Sequence, residues 1–126
     1  MTIKHIVMWK VRGDDAATRA RNLALLKSEF ESLRGRIPGL LLLEVGIDES
    51  RADYACDVLL YTEFASREAL AGYAEHPEHL RVRRALGDMR VARHQVDYEV
   101  ALSPLPAGDT AGHSPTGDTH HVQALR

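Results

Sequence analysis

Residues 3–11 read IKHIVMWKV, and the fold follows from the direction in which each of these side chains faces. A run rich in Ile, Val, Met and Trp that leads into Gly13-Asp14-Asp15 has the composition and punctuation of a strand entering a turn. Successive strand residues point to opposite faces, so Ile3, Val7, Trp9 and Val11 share one face while Ile6 and Met8 occupy the other. Both faces carry apolar residues, so a layer built on this strand needs cover on two sides.

Working outward, Asp14 or Asp15 caps a helix whose Leu23, Leu26, Phe30, Leu33 and Ile37 recur at spacings of three and four. The spacing predicts a helix to about Arg36, stopped by Pro38-Gly39. Two apolar runs follow, Leu40 to Ile47 and Tyr54 to Phe64, both expected as strands, with Cys56 inside the second. Ser66 caps a second helix with Leu70, Tyr73 and Ala74 on one face, and Pro77 forces a break before a short piece running to about Leu86. Gly87 ends it, and His94 to Leu102 alternates Val96, Tyr98 and Val100 with Gln95, Asp97 and Glu99, a fourth strand.

Strand, helix, strand, strand, helix, strand is the split β-α-β order of an α+β, ferredoxin-like fold (β-α-β-β-α-β), with the helices on one face of an antiparallel sheet. The other face is left bare. For so small a domain the simplest cover is a second copy of the same sheet about a two-fold axis, so a homodimer is expected.

A chain of 126 residues has room for one domain, and 44% apolar with 27% charged residues is a globular balance. Lys and Arg number 16 against 18 Asp and Glu, too even to recruit nucleic acid or an anionic membrane. The single cysteine, Cys56, allows no internal disulfide, and the charges within the opening run leave no signal-peptide core or spanning segment. A cytoplasmic protein is expected. The folded domain is assigned to residues 1–102. Residues 103–126 hold three of the five prolines and three of the nine glycines and are expected to be a disordered tail. His113, His120 and His121 lie there without neighbouring acids and are given no catalytic role.

Four segments, IKHIVMWKV, IPGL followed by LEVG, YTEFASREALAGYAEHPEHLRV and VDYEV, stand in an order and spacing that resembles the stress-responsive A/B barrel (Dabb) family over about residues 2 to 101. The segment ending in HPEH is the most specific of them. The resemblance implies a dimeric α/β barrel with a cleft in each protomer between the sheet and the second helical segment. Members range from proteins described only as stress-responsive to polyketide cyclases that close rings by aldol chemistry without metal or cofactor. In those cyclases the positions matching His79 and Tyr73 are the proposed base and its hydroxyl partner, and His5 and Asp97 also occupy matching cleft positions.

Read from the residues alone, these four side chains keep two meanings each. Histidine titrates near neutrality, so His79 in an apolar cleft is able to take and return a proton. His5, flanked by Ile and Val, is either a core histidine bonded to a carbonyl or a cleft residue oriented by Asp97 from an adjacent strand. Asp97 shares its strand face with Gln95 and Glu99, which equally suits a solvated edge. Tyr73 either packs or presents its hydroxyl. His76, directly before Pro77, reads as a cap or turn residue, and Glu78 as a first-turn acid.

No metal and no cofactor is expected. His76 and His79 lie across a proline rather than at helical i, i+4 spacing, and neither a glycine-rich phosphate loop nor a nucleophile elbow is present. Arg81, Arg83, Arg84, Arg90 and Arg93 read as a solvated face that could still meet an acidic substrate or a carrier protein's phosphate. The expected function is a cofactor-free acid/base enzyme of small hydrophobic, polyketide-like molecules, cyclase or lyase in type. Two alternatives stand beside it: a non-catalytic, stress-responsive dimer that binds a hydrophobic ligand, and a cofactor-independent monooxygenase or isomerase.

Overall fold

A computed structural model describes residues 1–101. The assigned tail, its histidines and the proposed domain boundary near residue 102 lie outside the described residues. The elements are β1 (Thr2–Val11), α1 (Ala16–Glu31), β2 (Leu40–Ile47), β3 (Val58–Phe64), α2 (Arg67–Glu75), α3 (Pro77–Leu86) and β4 (Arg90–Val100). The four strands form one antiparallel sheet in the order β2-β3-β1-β4, the ferredoxin-like α+β arrangement expected from the element order.

β1 lies inside the sheet and sets its register, with His5 opposite Thr62 on one side and Asp97 on the other. Its alternation is strict: Ile3, His5, Val7, Trp9 and Val11 are buried, and the residues between them are not. Beneath the helices Trp9 stacks on Phe30 with ring centroids 5.3 Å apart, and Leu26, Leu33, Leu60, Phe64 and Val82 complete a fully buried centre. The opposite face aligns Leu59, Met8 and His94 in one row and Tyr61, Ile6 and Val96 in the next. Met8, Val96 and Tyr98 there are 38%, 52% and 44% exposed, so this apolar face is uncovered within the chain.

Three element boundaries differ from the sequence reading. α1 ends at Glu31, five residues early, because Ser32 turns its hydroxyl onto the Glu29 carbonyl at 2.6 Å and the chain tightens into i, i+3 bonds such as Leu33 N–H to the Phe30 carbonyl. Leu33 and Ile37 remain buried, so the apolar spacing still serves the core where the helix has given way to turns. Gly39 is required where the chain re-enters the sheet, since its φ is +79° and a Cβ would lie 2.4 Å from that of Ala69.

β3 begins at Val58 rather than Tyr54, which places Cys56 in the preceding loop, partly exposed, and not within a strand. Asp57 makes this boundary: its buried carboxylate accepts from the Val11 amide at 2.7 Å and the Arg51 guanidinium at 3.0 Å, while its own amide donates to the Trp9 carbonyl. β4 begins at Arg90 rather than His94, because pairing with β1 carries on through a stretch, Arg90 to Arg93, whose composition hides a strand.

Replacing Asp57 with Ala leaves a buried amide without its acceptor, and a loss of about 2 kcal/mol is expected. Urea unfolding should show a lower midpoint with an unchanged slope.

Candidate functional site

The helices cover β1, β2 and β3 but leave the inner face of β4 largely open. The gap is a cavity of about 610 Å³ between β4 and β1 on one side and α2 and α3 on the other. His5, Tyr73, His79 and Asp97 all line it, so the four candidates from sequence meet in one place.

His5 and Asp97 are brought together by strand register, and His5 Nδ1 lies 2.6 Å from Asp97 Oδ1. An ionised carboxylate only accepts, so the proton lies on Nδ1 and Nε2 is left as the second ring nitrogen. Thr62 bonds the His5 carbonyl at 2.7 Å and fixes the backbone beneath the ring. Of the two sequence readings for His5, a carbonyl-bonded core residue and an Asp97-oriented cleft residue, the geometry gives the second. Gln95 extends the array, donating from Nε2 to Asp97 Oδ2 at 3.0 Å and accepting from Arg93 at its Oε1. The sequence reading placed Gln95 on the Asp97 strand face only as part of a solvated edge and assigned it no part in the site.

Tyr73 and His79 meet because the helix breaks between them. Pro77 holds His76 in extended backbone, with φ −67° and ψ 137°, so α3 leaves α2 at a corner. His76 caps α3 by accepting the Glu78 amide at 3.0 Å, as the pre-proline reading expected. Across that corner the Tyr73 and His79 rings lie 4.2 Å apart between centroids. His5 stands 6.1 Å from Tyr73, edge to face.

The two groups have complementary protonation. Burial pushes the Tyr73 phenol well above its ordinary value, with Arg90 and Arg93 opposing more weakly, so it stays a hydroxyl donor through the neutral range. Burial pulls His79 below its ordinary value, the Ala74 carbonyl opposes this, and Arg83 and Arg90 reinforce it. His79 is therefore the neutral imidazole at pH 7. Its Nδ1 lies 3.2 Å from the Ala74 carbonyl, which only accepts, so Nδ1 carries the hydrogen and Nε2 holds the basic lone pair.

His94 lies on the outer face opposite Met8, away from the cleft. Cys56 lies beside a second concavity of that face with Tyr54, Met8 and His94. Arg81 is tied to Glu29 at 2.7 Å and Glu78 at 3.1 Å, whereas Arg83, Arg90 and Arg93 line the cavity. No helix among the described residues is long and apolar enough to cross a membrane.

The fold and the open cleft define a ferredoxin-like α+β protein with a tyrosine and a histidine in contact under its helices. The model of the Stress responsive A/B Barrel Domain matches residues 3–100, and the chain belongs to this Dabb family. A dimeric ferredoxin-like protein of unknown function from Bacteroides fragilis is 30% identical and superposes with a TM-score of 0.71, covering 79% of this chain and 96% of that one. A Dabb family protein from Mesorhizobium loti is 23% identical, with a TM-score of 0.57 over 81% and 98% of the two chains. The hydroxynitrile lyase of Passiflora edulis shares the fold at 16% identity, with a TM-score of 0.64 over 82% and 97%. No curated protein sequence matches significantly.

In a pH titration followed by NMR, the His79 ring should show a midpoint below the ordinary 6.5. Arg90→Gln removes a cation that disfavours the imidazolium and should move that midpoint upward.

Proposed function

We propose that this chain is a homodimeric, cofactor-free acid/base enzyme acting on small hydrophobic carbonyl compounds, cyclase or lyase in type. The observation that carries the reading is the contact of the His79 and Tyr73 rings inside a cavity that also holds the His5–Asp97 pair. His79 Nε2 takes a proton from the carbon beside a carbonyl, and the electron pair of that C–H bond moves to the carbonyl oxygen as an enolate. Tyr73 donates a hydrogen bond to that oxygen, and His5, held by Asp97, orients the bound molecule against the pair. The enolate carbon then attacks a second carbonyl to close a ring, or the enolate expels a leaving group from the carbon β to the carbonyl, and the new alkoxide or the departing group takes the proton back from His79.

Deuterium wash-in at the activated carbon of a small aryl β-diketone, followed by NMR, tests this directly. Wild-type protein should accelerate exchange, and His79→Ala should lower the rate by about a hundredfold or more with the fold intact. Exchange unaffected by His79→Ala ends the catalytic reading.

The family description as stress-responsive supports a second reading, a non-catalytic dimer that holds a hydrophobic ligand in the same cleft. Binding of the diketone without any exchange would favour it.

The homodimer rests on the uncovered apolar outer face and on the similar Bacteroides fragilis protein being described as dimeric. Val96→Asp places a charge in the middle of that face. Sedimentation should show a dimer for wild type and a single copy for the variant, and a wild-type monomer at high concentration would remove the dimer.

A further inference from the structure

Five arginines cluster between Arg81 and Arg93, and the structure divides them by what they face. Arg81 is saturated by Glu29, Glu78 and the Ser32 hydroxyl. Arg84 lies on the exposed side of α3, outside the cavity. Arg83, Arg90 and Arg93 converge on the cleft from α3 and β4, and none has a carboxylate within 4.0 Å among the described residues.

Three neighbouring guanidiniums without a counter-charge repel one another, and a site keeps such a group at a cost in stability. Arg90 is the most constrained. It is half-buried and sits over the Trp9 ring, its guanidinium carbon 5.2 Å from the centroid. The cation–π contact anchors the guanidinium beside the cleft, and no hydrogen-bond partner among the described residues occupies its N–H groups, which suit an oxyanion. Arg93 reaches the Gln95 amide oxygen, a neutral acceptor that leaves its charge uncompensated. Asp97 is the single carboxylate lining the cavity among the described residues, and both of its oxygens are engaged, by His5 and by Gln95. It therefore makes no direct ion pair with the arginines. The other wall is apolar, formed by Val7, Trp9, Leu60 and Leu70.

We infer that the ligand of this cleft is an apolar carboxylic acid, its carboxylate held by Arg83, Arg90 and Arg93 and its hydrocarbon body against Val7, Trp9, Leu60 and Leu70. The inference rests on the cleft being a small-molecule site and adds the charge class of what enters it. Two arginine forks match the two oxygens of a carboxylate, and anchoring that group at the mouth leaves the far end of the molecule to reach Tyr73 and His79.

Calorimetric titration at neutral pH with 4-butylbenzoate and its uncharged isostere 4-butylbenzamide tests the charge preference. The acid should bind about tenfold more tightly or better, with the gap narrowing as sodium chloride is added. Arg93→Gln, on an exposed strand, and Arg83→Gln should each reduce the gap several-fold, while Arg84→Gln should leave it unchanged. Arg90→Gln should reduce it most. Should that variant unfold through loss of its contact with Trp9, the Arg83 and Arg93 variants carry the test. Equal affinity for acid and amide, or a gap that survives in the Arg83→Gln/Arg93→Gln double variant, overturns the carboxylate assignment and leaves the proposed proton-transfer chemistry standing. Binding of neither probe removes the small-molecule reading, and the assignment with it.

Discussion

The two-residue alternation of β1 is the constraint on which the rest of this molecule depends. β1 has strands on both sides, so its hydrogen bonds are committed within the sheet and each side chain has only two directions in which to go. The odd positions face the helices and bury Ile3, Val7, Trp9 and Val11, and the same parity carries His5 into the cleft. The even positions put Ile6 and Met8 on the uncovered face. A slip of one residue would exchange these roles, moving the histidine out of the cleft and two lysines beneath the helices. Site and outer surface are thus two readings of one register.

A second division of labour arises in the helical layer. An uninterrupted helix from Ser66 to Leu86 would have no corner at which a residue of one helix could fold back on the next. Pro77 removes that option and, through the extended backbone it imposes on His76, sets the last turn of α2 against the first turn of α3. Partial burial does the rest. The same desolvation that keeps Tyr73 protonated keeps His79 unprotonated, because each disfavours the charged form of its own group. A donor and a base in contact therefore need no opposing environments.

Charge enters this site from the strand. β4 lies at the edge of the sheet and lacks the helical cover given to its neighbours, so Arg93, Gln95 and Asp97 stay exposed and polar at little desolvation cost. Arg93, Gln95 and Asp97 occupy alternate positions there, linked in a line that ends at His5. The openness that makes the cavity is also what allows it to be lined with ions.

The sequence by itself determined the element order, the ferredoxin-like class, the two oily faces of the sheet and the four side chains later found around the cleft. The order, the class and the oily faces depend on local periodicity, caps and the steric effect of proline, all of which act within a few residues, whereas the four side chains were singled out by the resemblance of their segments to the Dabb family. It did not determine where α1 gives way to tighter turns, where β3 and β4 begin, or which arginines face the cleft. Ser32 and Asp57 decide two of those boundaries through specific bonds, one of them to the distant Val11 amide. Which arginine is already satisfied depends on Glu29, far away in the chain and adjacent only once α1 and α3 have packed. Pairing across such separations is a property of three-dimensional neighbours, and only the tertiary structure supplies them.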